Sequence, residues 1–311
     1  AESMKIVVTG GAGFIASQIA DAYVDRGHEV SIIDDLSTGQ KRNLNSQAKI
    51  YAVDIADPKA AKLIATIKPD VLNHHAAQMD VRRSVADPGF DARINIIGFI
   101  NLLEACKDTG VKKIIFSSSG GAVYGDREPI PATEEHETLP LSPYGVSKLT
   151  GELYLGYYHM AFGLPYVALR YANVYGPRQS TLGEAGVVAI FISQLLAGKS
   201  PVINGDGKQT RDYVFVGDVV RANVAALDVD YTGAVNIGTG KETDVVTICK
   251  LLRDGVGSPV EAIHGPAKLG EQRRSCLETA LARQVLGWRP EVGLKEGLEQ
   301  TIAYRREAGP A

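Results

Sequence analysis

The sequence predicts an α/β protein built on a doubly wound parallel sheet, and two observations carry the prediction. Short β-branched apolar runs alternate with segments of helical apolar spacing through the first half of the chain, as buried parallel strands and crossover helices do. The first run, Lys5–Thr9, leads through Gly10, Gly11 and Gly13 into the helical segment 14–26. A strand, a glycine turn and a helix start in this order are typical of a Rossmann-type dinucleotide site.

The glycine turn is the predicted site of a cofactor pyrophosphate. Gly10 and Gly13 allow the backbone to come close to the phosphates. The helix that starts at Phe14 and Ile15 aims free N–H groups and the positive end of its dipole at them. A tight turn in an unrelated α/β protein is the alternative interpretation.

The second predicted strand, Glu29–Ile33, ends at an acid that fits an adenosine. The Asp34 carboxylate can accept hydrogen bonds from ribose hydroxyls, and it would repel the extra phosphate of NADP. The predicted cofactor is therefore NAD. Asp35 and a polar turn positioned to close over the adenosine come next: Leu36, Ser37, Thr38 and Gly39.

Two further strands bring more polar residues to the same edge. A strand over 50–53 ends at Asp54 and Ile55, where the aspartate can reach the adenine amino group or cap the predicted helix Pro58–Ile67. The fourth strand, Val71–His74, ends at the side where doubly wound sheets bind ligands. Its last histidine and the next one point to opposite faces with no third ligand nearby, so no metal is predicted. The residues after this strand are His75, Ala76, Ala77 and Gln78.

The segment 90–107 is predicted to be a long helix with apolar residues almost all round. One stripe must face the sheet, and the surplus indicates a second burial partner such as another subunit. Asn95 is a polar exception in this helix and a candidate for holding nearby loop backbone.

A fifth strand over 113–116 leads into Ser117, Ser118 and Ser119, and a sixth is predicted over 166–170. Between them lies the predicted helix Pro143–Phe162, with Ser142 as its N-cap and a proline in its first position. We expect residues 4–175 to form the NAD-binding domain. Residues 176–311 are predicted to form mainly a smaller C-terminal α/β substrate lobe, from which 213–238 returns to the first domain. The short strands predicted there are Val202–Asn204, 213–216 and 234–237.

The composition describes an ordinary globular protein of 311 residues with 45% hydrophobic and 22% charged residues. The net charge is −3, so the chain lacks the excess positive charge that attracts nucleic acid or an acidic membrane, and neither partner is expected. The three cysteines lack metal-like spacing, no apolar run is long enough for a bilayer, and no signal peptide is visible. Together these features predict a cytoplasmic protein. The residues before Met4 resemble a cloning remnant.

Tyr144 and Lys148 form the predicted catalytic pair. They lie four residues apart on one helix face, so the ammonium can lie near the phenol and the cofactor ribose. A free tyrosine has a pKa of about 10, and a neighbouring cation lowers it towards that of a useful base. A Y-x-x-x-K spacing alone is weak evidence, but this pair follows a serine-rich strand end downstream of a dinucleotide turn. A serine hydroxyl there can share the substrate proton, although one or two of the three can simply form a polar strand end.

Six motifs resemble the extended short-chain dehydrogenase/reductases of the NAD-dependent epimerase/dehydratase family. They are T-G-G-A-G-F-I, D-D-L-S-T-G, F-S-S-S-G-G-A-V-Y-G, S-P-Y-G-V-S-K, R-Y-A-N-V-Y-G-P and T-R-D-Y-V-F-V-G-D-V. The resemblance runs from Met4 to about Arg305 and is nearest to NAD-dependent UDP-glucose (UDP-galactose) 4-epimerases. It implies that Tyr144 removes the C4 hydroxyl proton while hydride passes to NAD⁺, and that the 4-keto sugar then takes the hydride back on its other face.

The same resemblance implies further roles. Ser119 would bridge the sugar O4 and Tyr144, with Ser118 as the second choice, and Tyr171 would lie near the nicotinamide. The pyrophosphate and uridine side would be formed by Asn173, Arg211, Lys268 and Glu271. Ser275 matches a pocket position whose size decides whether C2 N-acetyl groups fit, so UDP-N-acetylglucosamine is expected as a substrate beside UDP-glucose. The helices 90–107 and 143–162 would form a four-helix homodimer contact.

Gly120 and Gly121 separate epimerisation from related reactions. Dehydratases and decarboxylases of the family place carboxylates just after the catalytic Ser or Thr, and glycine supplies no acid or base there. Three alternatives remain: a UDP-glucuronate 4-epimerase, with Arg178 or Thr181 near C6; a nucleotide-sugar 4-reductase or dehydrogenase; and an inactive NAD-binding regulatory module.

Three departures from the family pattern bear on cofactor and nucleotide binding. Ala16 replaces the third glycine of the fingerprint, which tolerates this change. Lys268 replaces an arginine and offers phosphate a point charge instead of a bidentate fork. Asn204 occupies a position that is often aromatic, so altered recognition of the base is expected.

Overall fold

Residues 2–126, 128–182 and 186–309 are described by the computed structural model. Its strands are β1 (Lys5–Thr9), β2 (Glu29–Ile33), β3 (Lys49–Tyr51), β4 (Val71–His74), β5 (Lys113–Ser119), β6 (Tyr166–Tyr171), β7 (Asn173–Tyr175), β8 (Val202–Asn204), β9 (Thr210–Arg211), β10 (Tyr213–Phe215), β11 (Gly233–Ile237), β12 (Thr243–Asp244) and β13 (Ile263–Gly265). The α-helices are α1 (Phe14–Asp25), α2 (Pro58–Ile67), α3 (Val81–Ala86), α4 (Pro88–Ala92), α5 (Gly98–Asp108), α6 (Gly120–Tyr124), α7 (Pro143–Phe162), α8 (Val187–Leu196), α9 (Val216–Ala226), α10 (Val245–Val256), α11 (Ala280–Leu286) and α12 (Leu294–Ala308).

The main sheet has seven parallel strands in the order β11-β6-β5-β4-β1-β2-β3. The chain builds outward from β1 through β2 and β3, and then returns to place β4 on the other side of β1. The connections that follow β1 and β4 therefore lead to helices on opposite faces of the sheet, and the carboxyl edge between them is where doubly wound sheets bind ligands. The predicted α/β, Rossmann-type doubly wound fold is confirmed.

Alternate strand residues enter two cores on opposite faces of this sheet. Helices α1, α9 and α11 cover one face, and α2, α5 and α7 cover the other. A third core joins α8, α10 and α12 in the C-terminal part of the chain. Among the described residues, no helix combines the length and apolar character needed to cross a bilayer.

The C-terminal part contributes both to the main sheet and to three small ones. β11 lies beside β6, whereas β10 pairs with β7 outside the main sheet. Strands β9 and β12 form an antiparallel pair, and β8 and β13 form a parallel one. Of the segment 213–238, it is therefore the last strand that extends the main sheet.

Several boundaries differ from the sequence predictions. β5 extends through all three serines because they continue to pair with β6, and β3 ends two residues earlier than predicted. The predicted helix 90–107 begins at Pro88, after the N-cap Asp87, and contains a π-helical segment at Arg93–Ile97. The short helices α3 and α6 were not predicted. Ser142 caps α7 as predicted, since its side chain accepts from the Gly145 N–H.

Candidate active site

The glycine turn after β1 lies against the loop after β4. Gly10 has a φ of +73°, and a Cβ atom built on it would lie 2.8 Å from the Ala76 nitrogen. Only glycine fits here without displacing backbone. The Thr9 hydroxyl fixes the approach by accepting from the N–H groups of His75 and Ala76, each at 3.0 Å. The turn thus brings half-buried backbone to the start of α1, where a pyrophosphate can bind to free N–H groups.

Asp34 closes this cradle at the end of β2. Its buried carboxylate accepts from the N–H of Ala12 at 2.9 Å and from that of Leu36 at 2.7 Å, while burial raises its pKa. Two lone-pair positions per oxygen leave capacity for ribose hydroxyls. Gly39 approaches Ala12 so closely that an added Cβ would lie 2.6 Å from the alanine Cβ. These residues fit a dinucleotide.

The turn after Asp34 is partly exposed. Asp35 accepts from both the N–H and the hydroxyl of Ser37 at 3.0 and 2.7 Å, and Leu36 has a φ of +62°. Thr38 is exposed. The turn therefore has an internal hydrogen-bond frame of its own and presents polar atoms beside the adenosine end of the cradle.

Asp54 is not a helix cap, so that interpretation is wrong. The N-cap of α2 is Asp57, whose side chain accepts from the Lys59 N–H at 2.8 Å. Asp54 accepts from the N–H of Ala56 at 2.9 Å and faces Arg93 at 3.4 Å. Ile55 beside it is buried.

The two histidines after β4 point to opposite faces, as predicted. His74 stacks on Phe99 with ring centroids 4.6 Å apart. His75 bonds to the Tyr171 phenol at 2.8 Å and to Asn73 at 2.6 Å. Burial lowers the pKa of His75 to about 3, so it is neutral at working pH. Within the described ranges, no cluster of three or more potential ligand residues could hold a metal ion.

Asn95 holds loop backbone, as predicted. Its amide oxygen accepts from the Gln78 N–H at 2.8 Å, and its amide nitrogen donates to the Gln78 carbonyl at 2.9 Å and to Asp91 at 3.1 Å. The π-helical segment places Asn95 at this position. π-Helical turns occur frequently at functional sites. The loop from Ala76 through Ala77 to Gln78 is thereby fixed beside the glycine turn.

Lys148 lies among the other residues of the predicted catalytic group. Its ammonium donates to the Ser117 carbonyl at 2.7 Å and lies 5.9 Å from the centre of the Tyr144 ring. Burial lowers the pKa of Lys148 to about 8, an effect that the carboxylates of Asp91 and Glu152 oppose. The structure thus brings the predicted tyrosine, lysine and strand end together.

The serines at the end of β5 differ in their surroundings. Ser118 is buried and donates to Glu152 at 2.6 Å, whereas Ser119 is half-buried and accepts from the Ala122 N–H as the N-cap of α6. Because side chains alternate along a strand, Ser117 and Ser119 share the face opposite to Ser118. Of the two catalytic candidates, Ser119 is the one whose hydroxyl is not committed to a buried carboxylate.

The residues expected on the nucleotide side lie around a cavity of about 280 Å³. Asn204, Lys268 and Glu271 line it, and Arg211 lies 3.9 Å from the Glu271 carboxylate. Asn173 is exposed in β7, next in the chain to Tyr171 and Ala172. Four of these five residues therefore lie near one another, on segments that are far apart in sequence.

Ser275 lies beside the start of α6. A Cβ on Gly121 would lie 3.7 Å from its hydroxyl, which is ordinary van der Waals contact, so two small residues lie next to each other near the strand-end serines. Arg178 lies elsewhere: it donates to Ser17 at 3.1 Å and to Asp21 at 2.8 Å on α1, and thus is engaged away from a sugar C6. Thr181 is half-buried.

Several buried polar residues of this region escaped the sequence analysis. Ser84 on α3 accepts from the Tyr144 N–H at 3.1 Å, and Ser147 donates to the fully buried Asp91 at 2.5 Å. Glu152 forms a buried ion pair with Arg170 at 2.6 Å. The one signal in the sequence is that Glu152 follows Lys148 by one further helical turn.

Comparisons with known proteins agree with this geometry. A model of the NAD dependent epimerase/dehydratase family matches residues 6–238. A protein of Methanocaldococcus jannaschii described as a putative UDP-glucose 4-epimerase is 46% identical over 97% of this chain and 98% of its own. A UDP-glucose 4-epimerase of Thermotoga maritima, solved with UDP-glucose, has a TM-score of 0.96 at 45% identity, covering 98% and 99% of the two chains. A UDP-N-acetylglucosamine 4-epimerase of Methanobrevibacter ruminantium, solved with UDP-N-acetylmuramic acid, has a TM-score of 0.95 at 36% identity, covering 99% and 100%.

Proposed function

This chain belongs to the NAD-dependent epimerase/dehydratase family, and we propose that it interconverts the C4 epimers of a UDP-hexose with bound NAD. The enzyme is an isomerase. The observation that carries the proposal is the meeting of Tyr144, Lys148 and Ser119 at the carboxyl edge of the sheet, next to a glycine turn that fits a dinucleotide.

The cofactor is held by the loops after β1, β2 and β4. Backbone N–H groups at Phe14 and Ile15, beside Gly13 at the start of α1, would face the pyrophosphate. Asp34 would take the ribose hydroxyls, and the loop from His75 to Gln78 would line the nicotinamide half. NAD, when bound, supplies a reversible hydride acceptor, which allows one carbon to be oxidised and reduced again.

The proton chemistry belongs to the chain's own residues. Tyr144 accepts the proton of the sugar O4 hydroxyl and later returns it. Lys148 is held by the Ser117 carbonyl at 2.7 Å, and its charge favours the phenolate. Ser119 donates to the sugar O4 and orients it towards Tyr144. Tyr171 would lie beside the nicotinamide, and its phenol is fixed by hydrogen bonds with His75 and Asn223.

The substrate nucleotide occupies the cavity lined by Asn204, Lys268 and Glu271, with Arg211 and Asn173 towards its pyrophosphate. The sugar lies beside Gly121 and Ser275, and the small side chain of Ser275 supports activity on UDP-N-acetylglucosamine as well as UDP-glucose. On this basis residues 4–175 are the cofactor domain, and the substrate lobe is formed mainly by the residues that follow.

A homodimer through 90–107 and 143–162 is part of the proposal. The exposed apolar side chains on these helices include Ile97, Leu153, Tyr157 and Met160. Large apolar side chains exposed on neighbouring helices are typical of an association surface.

The test is a panel of UDP-galactose, UDP-N-acetylgalactosamine and UDP-galacturonate without added reductant, followed by the anomeric signals in proton NMR. We expect the first two to be converted to their gluco epimers without lasting NADH. Faster conversion of the galacturonate would assign the hexuronate epimerase instead. Lasting NADH would indicate a dehydrogenase, and no conversion with NAD still bound would contradict the proposal.

A further inference from the structure

A buried ion pair lies directly behind the strand end that carries the serines. Arg170 donates to the Glu152 carboxylate at 2.6 Å from Nη2 and at 3.1 and 3.2 Å from Nε, and both side chains are 8% exposed. Burying two charges costs solvation that their attraction scarcely recovers, so such a pair adds little stability over apolar side chains. Its place behind the catalytic region requires another explanation.

The pair determines which serines face the active site. Glu152 on α7 accepts from the Ser118 hydroxyl at 2.6 Å and so holds this end of β5 against the helix that carries Tyr144 and Lys148. The two neighbours of Ser118 then face the other way. One of them, Ser117, offers its carbonyl to Lys148, and the other, Ser119, starts α6 beside Gly121. A shift of one residue in β5 would exchange the two faces.

The same pair is linked to the segment that carries Ser275. Arg170 donates to the Tyr124 phenol at 2.8 Å, and this phenol donates to Asn236 at 2.6 Å. Burial raises the pKa of Tyr124 to about 12, so the phenol keeps its proton. Asn236 in turn donates to the carbonyls of Ala132 and Glu278 at 2.9 and 3.1 Å. Ala132 also accepts from the Glu278 N–H and donates to the Cys276 carbonyl, both at 2.9 Å.

We propose that Glu152 and Arg170 are positioning residues for the epimerisation: their ion pair orients the serine end of β5 towards Tyr144 and Lys148 and ties it to the sugar-binding segment around Ser275. This inference rests on the proposed function in taking Tyr144, Lys148 and Ser119 as the reacting groups. Neither Glu152 nor Arg170 touches the substrate in this scheme.

The Glu152 charge also acts on Lys148, one helical turn earlier. The charged and titratable groups around Lys148 are Asp91 on α4, Tyr144 and Glu152 on α7, and the neutral His74 and His75 of the β4 end. Asp91 and Glu152 both raise the pKa of Lys148 against the effect of burial, and without the Glu152 charge only Asp91 of these two does so. The ammonium then loses its proton at a lower pH.

The test compares Glu152→Gln with the wild type on UDP-galactose from pH 6 to 10, with NAD content measured on each sample. We expect kcat to fall about tenfold or more, since positioned proton transfer contributes about 10²–10⁴-fold. The alkaline limb of the profile should move to lower pH while NAD stays bound. Wild-type kcat with an unmoved limb would overturn the inference.

Asp218→Asn is the matched control. Asp218 is a buried carboxylate that pairs with Arg221 at 2.5 Å and accepts from the N–H of Val292 at 3.1 Å, on α9. This variant should lose stability without moving the alkaline limb, and an equal shift of the limb would count against a specific role for Glu152.

Tyr124→Phe tests the link between the ion pair and the segment that carries Ser275. It also keeps this link testable if Glu152→Gln fails to fold. It removes the phenol between Arg170 and Asn236 and leaves the ion pair in place. We expect KM for UDP-galactose to rise about fivefold or more, with kcat nearly unchanged, because a loosened Ser275 segment weakens substrate binding in ground and transition states alike. An unchanged KM would overturn this link. A wild-type enzyme without epimerase activity would instead refute the proposed function.

Discussion

Lys148 is buried, although the proposed mechanism requires its positive charge. Burial lowers the pKa of Lys148 to about 8, against about 10.4 for a free lysine. Between these two values the unfolded chain binds more protons, so this residue makes the fold more stable as pH rises. If titration of Lys148 lowers the activity in this pH range, the cause is therefore the loss of its positive charge and not unfolding of the protein.

The first prediction uses an arginine that cannot lose its charge. Wild-type kcat should fall above about pH 8, whereas Lys148→Arg should show a flat alkaline limb, because guanidinium stays protonated. Its kcat should be about tenfold lower, since the larger head group reproduces the contact with the Ser117 carbonyl poorly. The measurement is kcat against pH for UDP-galactose.

Tyr144→Phe is the companion control, and it should abolish turnover at every pH while NAD remains bound. An alkaline limb in Lys148→Arg at the wild-type position would show that another group titrates there. Full activity in Tyr144→Phe would refute the assignment of the base.

The second prediction concerns the size of residue 275. Ser275→Tyr should reduce kcat/KM for UDP-N-acetylgalactosamine more than tenfold relative to UDP-galactose, because a phenol would replace a small side chain next to Gly121, where we expect the acetyl group to lie. The measurement is the ratio of the two kcat/KM values. Ser275→Ala should preserve the ratio, and Ser275→Tyr with the wild-type ratio would disprove the pocket assignment.

At this scale the sequence predicts local pairs and misses distant ones. Tyr144 and Lys148 are four residues apart, so helical spacing alone places them together. Glu152 meets Ser118 across 34 positions, and no local pattern indicates which carboxylate a buried serine meets. The choice between Ser118 and Ser119 depends on that distant contact, and it stayed open for this reason.

The helical run from α4 to α5 is an element whose irregularity serves the site. Its π-helical segment, Arg93–Ile97, places Asn95 where it meets both the N–H and the carbonyl of Gln78. The sequence predicts the helix and the role of Asn95, since a polar residue in an apolar helix needs a partner. The π-turn and the short helix α3 escape prediction because too few residues define them.

The third prediction tests this contact. Asn95→Leu should lower the free energy of unfolding by about 2–4 kcal/mol, because it leaves buried polar atoms of Gln78 and Asp91 without their partner. It should also lower kcat and NAD affinity, since the loop beside the glycine turn is released. Urea unfolding and isothermal titration with NAD measure the two effects.

Asn101→Leu is its control, because Asn101 donates to the carbonyls of Ile55 and Asp57 at 2.8 and 3.0 Å. A similar loss of stability with normal kcat is expected there. Equal kinetic losses in both variants would mean that Asn95 acts only through general stability.

The arrangement of the whole molecule follows from where the strand order reverses. Alternating strands and helices predict a parallel sheet, and the glycine turn identifies β1 as a strand at the point where the strand order reverses. The pairing of β11 with β6 is harder to predict from the sequence, because about sixty residues separate the two strands in the chain. The same limit applies to the nucleotide cavity, whose lining comes from two segments that no shared motif connects.

The last prediction concerns the surface of α7. Leu153 and Met160 are 67% and 81% exposed, and their spacing places them on one side of the helix. In a twofold dimer each side chain contributes twice, so Leu153→Glu removes two buried leucines and adds two charges to the interface. Burial of one leucine contributes about 1.5–3 kcal/mol, so the dimer should weaken by a factor of at least about a hundred. Sedimentation velocity at micromolar concentration should find a dimer for the wild type and a monomer for the variant.

Val246→Glu provides the comparison, since Val246 is also exposed but lies on α10, outside the proposed interface. It should sediment as the wild type does. The active-site residues proposed here lie on one chain, so the Leu153→Glu monomer should bind NAD and retain epimerase activity, provided that α7 keeps its position without the partner helices. A wild-type monomer would refute the dimer, and an inactive, NAD-loaded monomer would show that the partner helices hold Tyr144 and Lys148 in place.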